Sequence, residues 1–87
     1  MILNRTEFIA RVHIDEHTLE TWLSEQWLLP LHETEYDAFT DADVARARLI
    51  QELMQDFGVN QPGIGVVLHL LDQLHSARSG LTRAWPR

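Results

Sequence analysis

The stretch Thr40–Leu74, TDADVARARLIQELMQDFGVNQPGIGVVLHLLDQL, decides how this chain folds. Its pattern predicts two helices folded back on each other around an elbow. Thr40 and Asp43 have the spacing of a capping box, in which the first side chain accepts from a first-turn amide. Asp41 and Asp43 lie where the helix dipole favours negative charge. Apolar residues then recur at Ala47, Ile50 and Met54 and at Leu53 and Phe57, which is one face of a helix. Gly58 is placed to end that helix, because glycine takes a left-handed C′ conformation without steric cost. Asn60 can cap the next helix, and Pro62 is tolerated in a first turn, where amides lack partners anyway. The second helix is expected from Ile64 to about Leu74. Its apolar residues, Ile64, Val66, Val67, Leu68, Leu70 and Leu71, cover more than one face. Such a helix needs two surfaces to bury against. One is the preceding helix, and the other is the N-terminal half or a second copy of the chain.

Upstream, Thr6 to about Val12 is a short helix candidate with Phe8, Ile9 and Val12 facing inward. Asp15 is a strong N-cap for the next helix, with Glu16 in its first turn. Leu19, Trp22, Leu23 and Trp27 follow at helical spacing, and Trp22 is expected in the core. Two helices joined by so short a turn have the layout of a helix-turn-helix. Leu28-Leu29-Pro30 is expected to end the second of them. Residues 31–39 predict a loop or a small two-stranded wing anchored by Tyr36 and Phe39. At the other end, Ser79-Gly80 breaks the pattern, so Leu81–Arg87 is expected to be a tail. The expectation is an all-α or mostly α single domain over residues 1–87. It divides into a helix-turn-helix over 6–30, a loop or wing over 31–39, a helix pair over 40–78 and a tail over 79–87.

With 87 residues, 45% of them apolar, there is room for one modest core and no case for disorder. No apolar run approaches the length of a membrane span, and Met1-Ile2-Leu3-Asn4 is not a signal peptide. The absence of cysteine excludes disulfides and thiolate metal sites. A cytoplasmic location fits both observations. The net charge is −6, and its distribution says more than its sum. Between Arg11 and Arg46 there is no Lys or Arg. That interval holds Asp15, Glu16, Glu20, Glu25, Glu33, Glu35, Asp37, Asp41 and Asp43. Such a field repels phosphate and attracts basic surfaces, although a solubilising face is the plainer reading.

Two sets of residues carry a resemblance. Thr6-Glu7-Phe8, Ile14-Asp15-Glu16, Leu19 and Leu28-Leu29-Pro30 together resemble the helix-turn-helix of MerR-like proteins. Phe39 and Asp41 before a long helix, then Gln61-Pro62-Gly63-Ile64-Gly65-Val66 and Leu70-Leu71-Asp72, resemble the chaperone-modulator family typified by CbpM. The resemblance runs from about Thr6 to Leu74, and the Pro-Gly-Ile elbow is its most specific part. It implies a small protein that binds a DnaJ-like co-chaperone of the CbpA type and restrains its work with the Hsp70 chaperone DnaK. The J-domain of such a partner carries a positively charged helix that it normally presents to DnaK. Independently of the resemblance, the apolar residues on two faces of the last helix lead to the expectation of a homodimer through Val67, Leu71 and Leu74.

The alternative is a MerR-type transcription regulator, whose second helix reads DNA. A reader needs Arg or Lys for phosphates and guanine edges. Asp15 to Gln26 supplies Asp15, Glu16, Glu20 and Glu25 and no basic side chain, so DNA is disfavoured. The same face suits a basic protein, with Glu16, Glu20, Asp37 and Asp41 as the expected contacts. His13 and His17 have a metal-compatible spacing on a continuous helix, but the turn before Asp15 separates them and no third ligand stands near. His69 is expected at the edge of the core. No cofactor is expected, and no enzyme. The carboxylates lie in an exposed run without a defined pocket, and there is no phosphate loop or nucleophile–base signature.

Overall fold

The amides of a helix's first turn have no partners within the helix, so a side chain must accept from them. The computed structural model of the chain, which describes residues 2–31 and 37–84, meets that need four times. Its helices are α1 (Arg5–Val12), α2 (Glu16–Ser24), α3 (Asp41–Gln55) and α4 (Gln61–Ala84). Their caps are Asn4, Asp15, Thr40 and Asn60, which accept from the amides of Glu7, Thr18, Asp43 and Gly63. Around α1 and α3 the cap is reciprocal, with Glu7 and Asp43 accepting from the amides of Asn4 and Thr40. The mostly α architecture, a helix-turn-helix followed by a helix pair, is the one the sequence predicts.

The helix ends depart further from expectation. Gly58 ends the α3 region with φ +64°, as its position predicts. His13 and Gln26 do the same after α1 and α2, with φ of 60° and 61°. The Trp27 amide donates to the Trp22 carbonyl at 3.0 Å and the Gln26 amide to Leu23 at 3.1 Å, which is a Schellman closure. Helix α2 therefore stops at Ser24 and does not reach Leu28-Leu29-Pro30. Trp27 lies outside the helix yet is buried, its ring 6.4 Å from that of Trp22. Helix α4 corrects a second boundary, since it continues through Ser79-Gly80 to Ala84. One internal glycine costs a helix only about 1 kcal/mol relative to alanine, and no proline follows it before Ala84. The third correction is at the end of α3, where Val44, Ala47 and Ile50 are buried and Leu53 packs against the core, but Met54, and Phe57 just beyond the helix, are exposed.

The base of the wing is paired. Leu31 and Ala38 exchange two backbone hydrogen bonds of 2.9 Å. Leu3 and Phe39 exchange two of 2.8 Å, so the N-terminal segment lies on the other side of the same extended segment, each contact an isolated bridge. Tyr36, the expected second anchor, lies outside the described residues. Phe39 is fully buried and stacks on Phe8, with ring centroids 4.2 Å apart. Around this pair close Val12 from α1, Leu19 and Trp22 from α2, Ile50 from α3, and Ile64 and Leu68 from α4.

Two polar ties join the halves. Gln51 on α3 donates to the Val12 carbonyl at 2.7 Å, serving one of the orphaned acceptors at the end of α1. Arg46 on α3 donates through Nε to the Trp27 carbonyl and through both Nη atoms to Asp72 on α4, at 2.8 and 3.1 Å. A Cβ at Gly58 would meet no atom within 4 Å, so any penalty there is conformational. Gly58→Val should therefore lower stability by about 1–2 kcal/mol, because a β-branched residue resists positive φ. Gly58→Asn should cost less, since asparagine visits that region readily. Thermal melts of the two variants beside the parent check the order, and a Val variant as stable as the parent would refute it.

Candidate functional site

Glu16 and Glu20 stand one turn apart on α2, so both side chains leave the same side of the helix. Arg5, the first residue of α1, lies against that side. Its Nε donates to Glu16 at 3.0 Å, its Nη2 to Glu20, and its Nη1 lies 3.5 Å from Asp37, the residue before Ala38. Three of the sequence-predicted contact residues are thus gathered on one guanidinium. The fourth, Asp41, sits exposed at the start of α3. Hydrogen bonding to Glu16 raises the Arg5 pKa above its ordinary value, so this cation stays charged at any working pH.

Three carboxylates on one guanidinium leave the group a net charge of −2. The Glu16 and Glu20 side chains remain 65% and 64% exposed, whereas that of Asp37 is 20% exposed. Ion pairs so open to water contribute only about 0.2–1 kcal/mol each. The group therefore matters less for stability than for placement: it holds two outward carboxylates in fixed positions on α2. Asp15, at the start of the same helix, has its pKa lowered by the hydrogen bonds it accepts from Thr18. Nothing in the sequence pattern pointed to Arg5 as the centre, because its partners lie 11 and 15 residues away and beyond.

The histidines do not converge. His13 occupies the left-handed position that ends α1, and His17 lies in the first turn of α2. Among the described residues no group of three His, Asp or Glu side chains is placed to hold a metal. On α4, Ile64 and Leu68 are buried and Leu71 is half-buried against the core. Val67 is also half-buried. Val66, Leu70 and Leu74 are exposed. Of the residues expected to mediate self-association, Leu74 alone is fully on the open face. Among the described residues no helix is long and apolar enough to cross a membrane.

A helix pair joined by a tight turn, a wing closed at its base and a helical hairpin now define the scaffold. A family model described as MerR HTH family regulatory protein matches residues 3–83. The chain belongs to the MerR helix-turn-helix family. No curated protein matches it.

In a MerR-family chain α2 is the second helix of the helix-turn-helix, the element that enters the major groove in DNA-binding relatives of this architecture. Here its outward side carries Glu16 and Glu20 and no cation of its own. Each carboxylate brought near a phosphate is repelled, and the cation beside them, Arg5, is already engaged. The other arginine committed to architecture, Arg46, lowers the pKa of Asp72 by hydrogen bonding. The sign follows directly. The depressed carboxyl contributes stability above its unfolded pKa, near 3.8, and loses it as pH falls through the lower folded value. In a carboxyl-detected NMR titration Asp72 should titrate below the ordinary aspartate range, and Arg46→Gln should return it there. An unmoved Asp72 in that variant would refute the assignment.

Proposed function

We propose that this MerR-family chain is a cytoplasmic chaperone modulator, a binding protein without catalytic activity. It would bind the J-domain of a CbpA-like co-chaperone and restrain its cooperation with DnaK. The observation that carries the proposal is the acidic outer side of α2, where Arg5 fixes Glu16 and Glu20 and no Lys or Arg occurs from residue 12 to residue 45. A positively charged J-domain helix is complementary to that side. Covering it removes from DnaK the surface that DnaK needs, so the mechanism is occlusion. Charges separated by more than about 8 Å are screened at physiological salt, so the outlying carboxylates act chiefly on the association rate. Carboxylates desolvated at the contact act on dissociation. The alternative reading, a DNA-binding regulator of MerR type, is opposed by the charge of α2.

The proposal includes a homodimer. The open face of α4 carries Val66, Leu70 and Leu74, one helical turn apart, and replaces Val67 and Leu71 in the face first expected. Burying each of three such side chains contributes roughly 1.5–3 kcal/mol before the entropy of association is subtracted. Sedimentation equilibrium at micromolar concentration should show a dimer, and Leu70→Ser/Leu74→Ser should show a monomer. A parent chain that is strictly monomeric would refute the dimer.

The function is tested by titrating a purified CbpA-type J-domain at low and high salt. Binding should weaken with salt and be lost, or nearly so, in Glu16→Lys/Glu20→Lys. A parallel titration with generic duplex DNA decides between the readings. Tight DNA binding with indifference to the J-domain would sink the modulator and install the regulator.

A further inference from the structure

Helices α1 and α3 carry two arginines each, and the fold uses only one of each pair. Arg5 and Arg46 are committed to carboxylates. Arg11 and Arg48 are exposed, and among the described residues neither makes a side-chain hydrogen bond or an ion pair. The carboxylates best placed to neutralise them are on their own helices. Glu7 precedes Arg11 by one turn and Glu52 follows Arg48 by one turn, which is the spacing of helical ion pairs. Neither pair forms. Glu7 instead accepts from the Asn4 amide at 2.9 Å and serves the cap of α1.

Folding brings these two unpaired arginines to one place. Both line an open cleft of about 500 Å³, together with Leu3, Glu7, Ala10 and His13. At 3.6 residues per turn, Glu7, Ala10 and Arg11 lie roughly 140–240° around α1 from Arg5. The cleft therefore opens on the opposite side of α1 from the Arg5 group. Arg11, in the last turn of α1, suits the negative end of that helix. Arg48 sits in the middle of α3 and has no such benefit. Two cations in one cleft repel each other unless an anion lies between them. In a chain of net charge −6, this is a local excess of positive charge.

The lining decides what kind of anion fits. A monocarboxylate is planar and is satisfied by a single guanidinium fork. Two guanidiniums from different helices, with an imidazole beside them, suit a tetrahedral group with several oxygens. A phosphate monoester is such a group, and it carries about −1.5 to −2 charge at neutral pH. A polyanion fits poorly. Glu7 lines the cleft and Glu52 stands one turn beyond Arg48, so phosphates after the first would meet carboxylates. We propose that the cleft between α1 and α3 binds a small phosphate monoester, with Arg11, Arg48 and His13 as donors. This site lies apart from the acidic face and does not depend on the partner proposed for it.

The test titrates the intact protein with glycerol phosphate, inorganic phosphate, acetate and a short DNA duplex at constant ionic strength. The readout is NMR of the arginine Nε–H groups. With glycerol phosphate the Arg11 and Arg48 signals should shift together and saturate, with a Kd of about 1 mM or tighter. Those of Arg5 and Arg46 should stay in place. Acetate should bind at least about tenfold more weakly, because it offers one planar group to two cations. Arg11→Gln/Arg48→Gln should lose the saturable binding. Both side chains are exposed, so that variant should keep the parent's circular dichroism. A response to glycerol phosphate that never saturates, or one that acetate matches, would overturn the proposal. So would saturable binding that survives in the double variant. A response to inorganic phosphate alone would assign the cleft to the free ion and overturn the ester. Tighter binding of the duplex than of glycerol phosphate, lost in the same variant, would assign it to a polyanion and overturn the small ligand.

Discussion

The ring of Phe39 against that of Phe8 is the contact on which the rest of this small structure depends. Phe39 is fully buried, and its backbone pairs with Leu3 in both directions. The next residue, Thr40, caps α3. One position thus fixes where the N-terminal segment runs, where the wing closes and where the longest internal core helix begins. A chain of 87 residues buries a limited area, so each large apolar side chain counts for a greater share than in a larger domain. Truncating a buried phenylalanine costs about 3–5 kcal/mol, much of the stability such a domain possesses. Removing this ring would also release three elements at once.

Charge divides the chain's arginines by task. Arg5 collects carboxylates from α2 and from Asp37, and Arg46 reaches both the carbonyl of Trp27 and the carboxylate of Asp72. Arginine suits both places because its fork can donate to separate acceptors in fixed directions. The Arg46 tie has a role that packing alone does not fill. Trp27 lies beyond the end of α2, and its carbonyl has no helical partner of its own. By accepting from Arg46, that carbonyl couples the helix-turn-helix to the helical hairpin.

How much of this was legible in the sequence depended on how local the determining chemistry was. The caps at Asp15, Thr40 and Asn60 and the turn at Gly58 rest on residue types within four positions, and those features appear where the pattern put them. The box between Asn4 and Glu7 obeys the same rule, its two residues three positions apart. The end of α2 was not legible. A glutamine in the left-handed region carries no signal, and the closure that puts it there depends on Trp27 being drawn into the core. Ser79-Gly80 misled in the opposite direction, since helix breakers count only when a turn outcompetes continuation. For the site, the acidity of α2 was plain from composition. Its organisation was not, because Arg5 meets Asp37 through folding rather than through proximity in the chain.

The same division explains why the family shows a fold and leaves function to the surface. Phe8, Val12, Leu19 and Trp22 hold the helix-turn-helix together from its inner side. None of them faces a partner. Glu16 and Glu20 project outward and make no core contact, so their charge can be changed without disturbing what the inner residues build. A helix-turn-helix of unchanged geometry therefore serves a phosphate backbone or a basic protein according to a few exposed side chains. In this chain those side chains are carboxylates, held in place by an arginine that the fold itself positions.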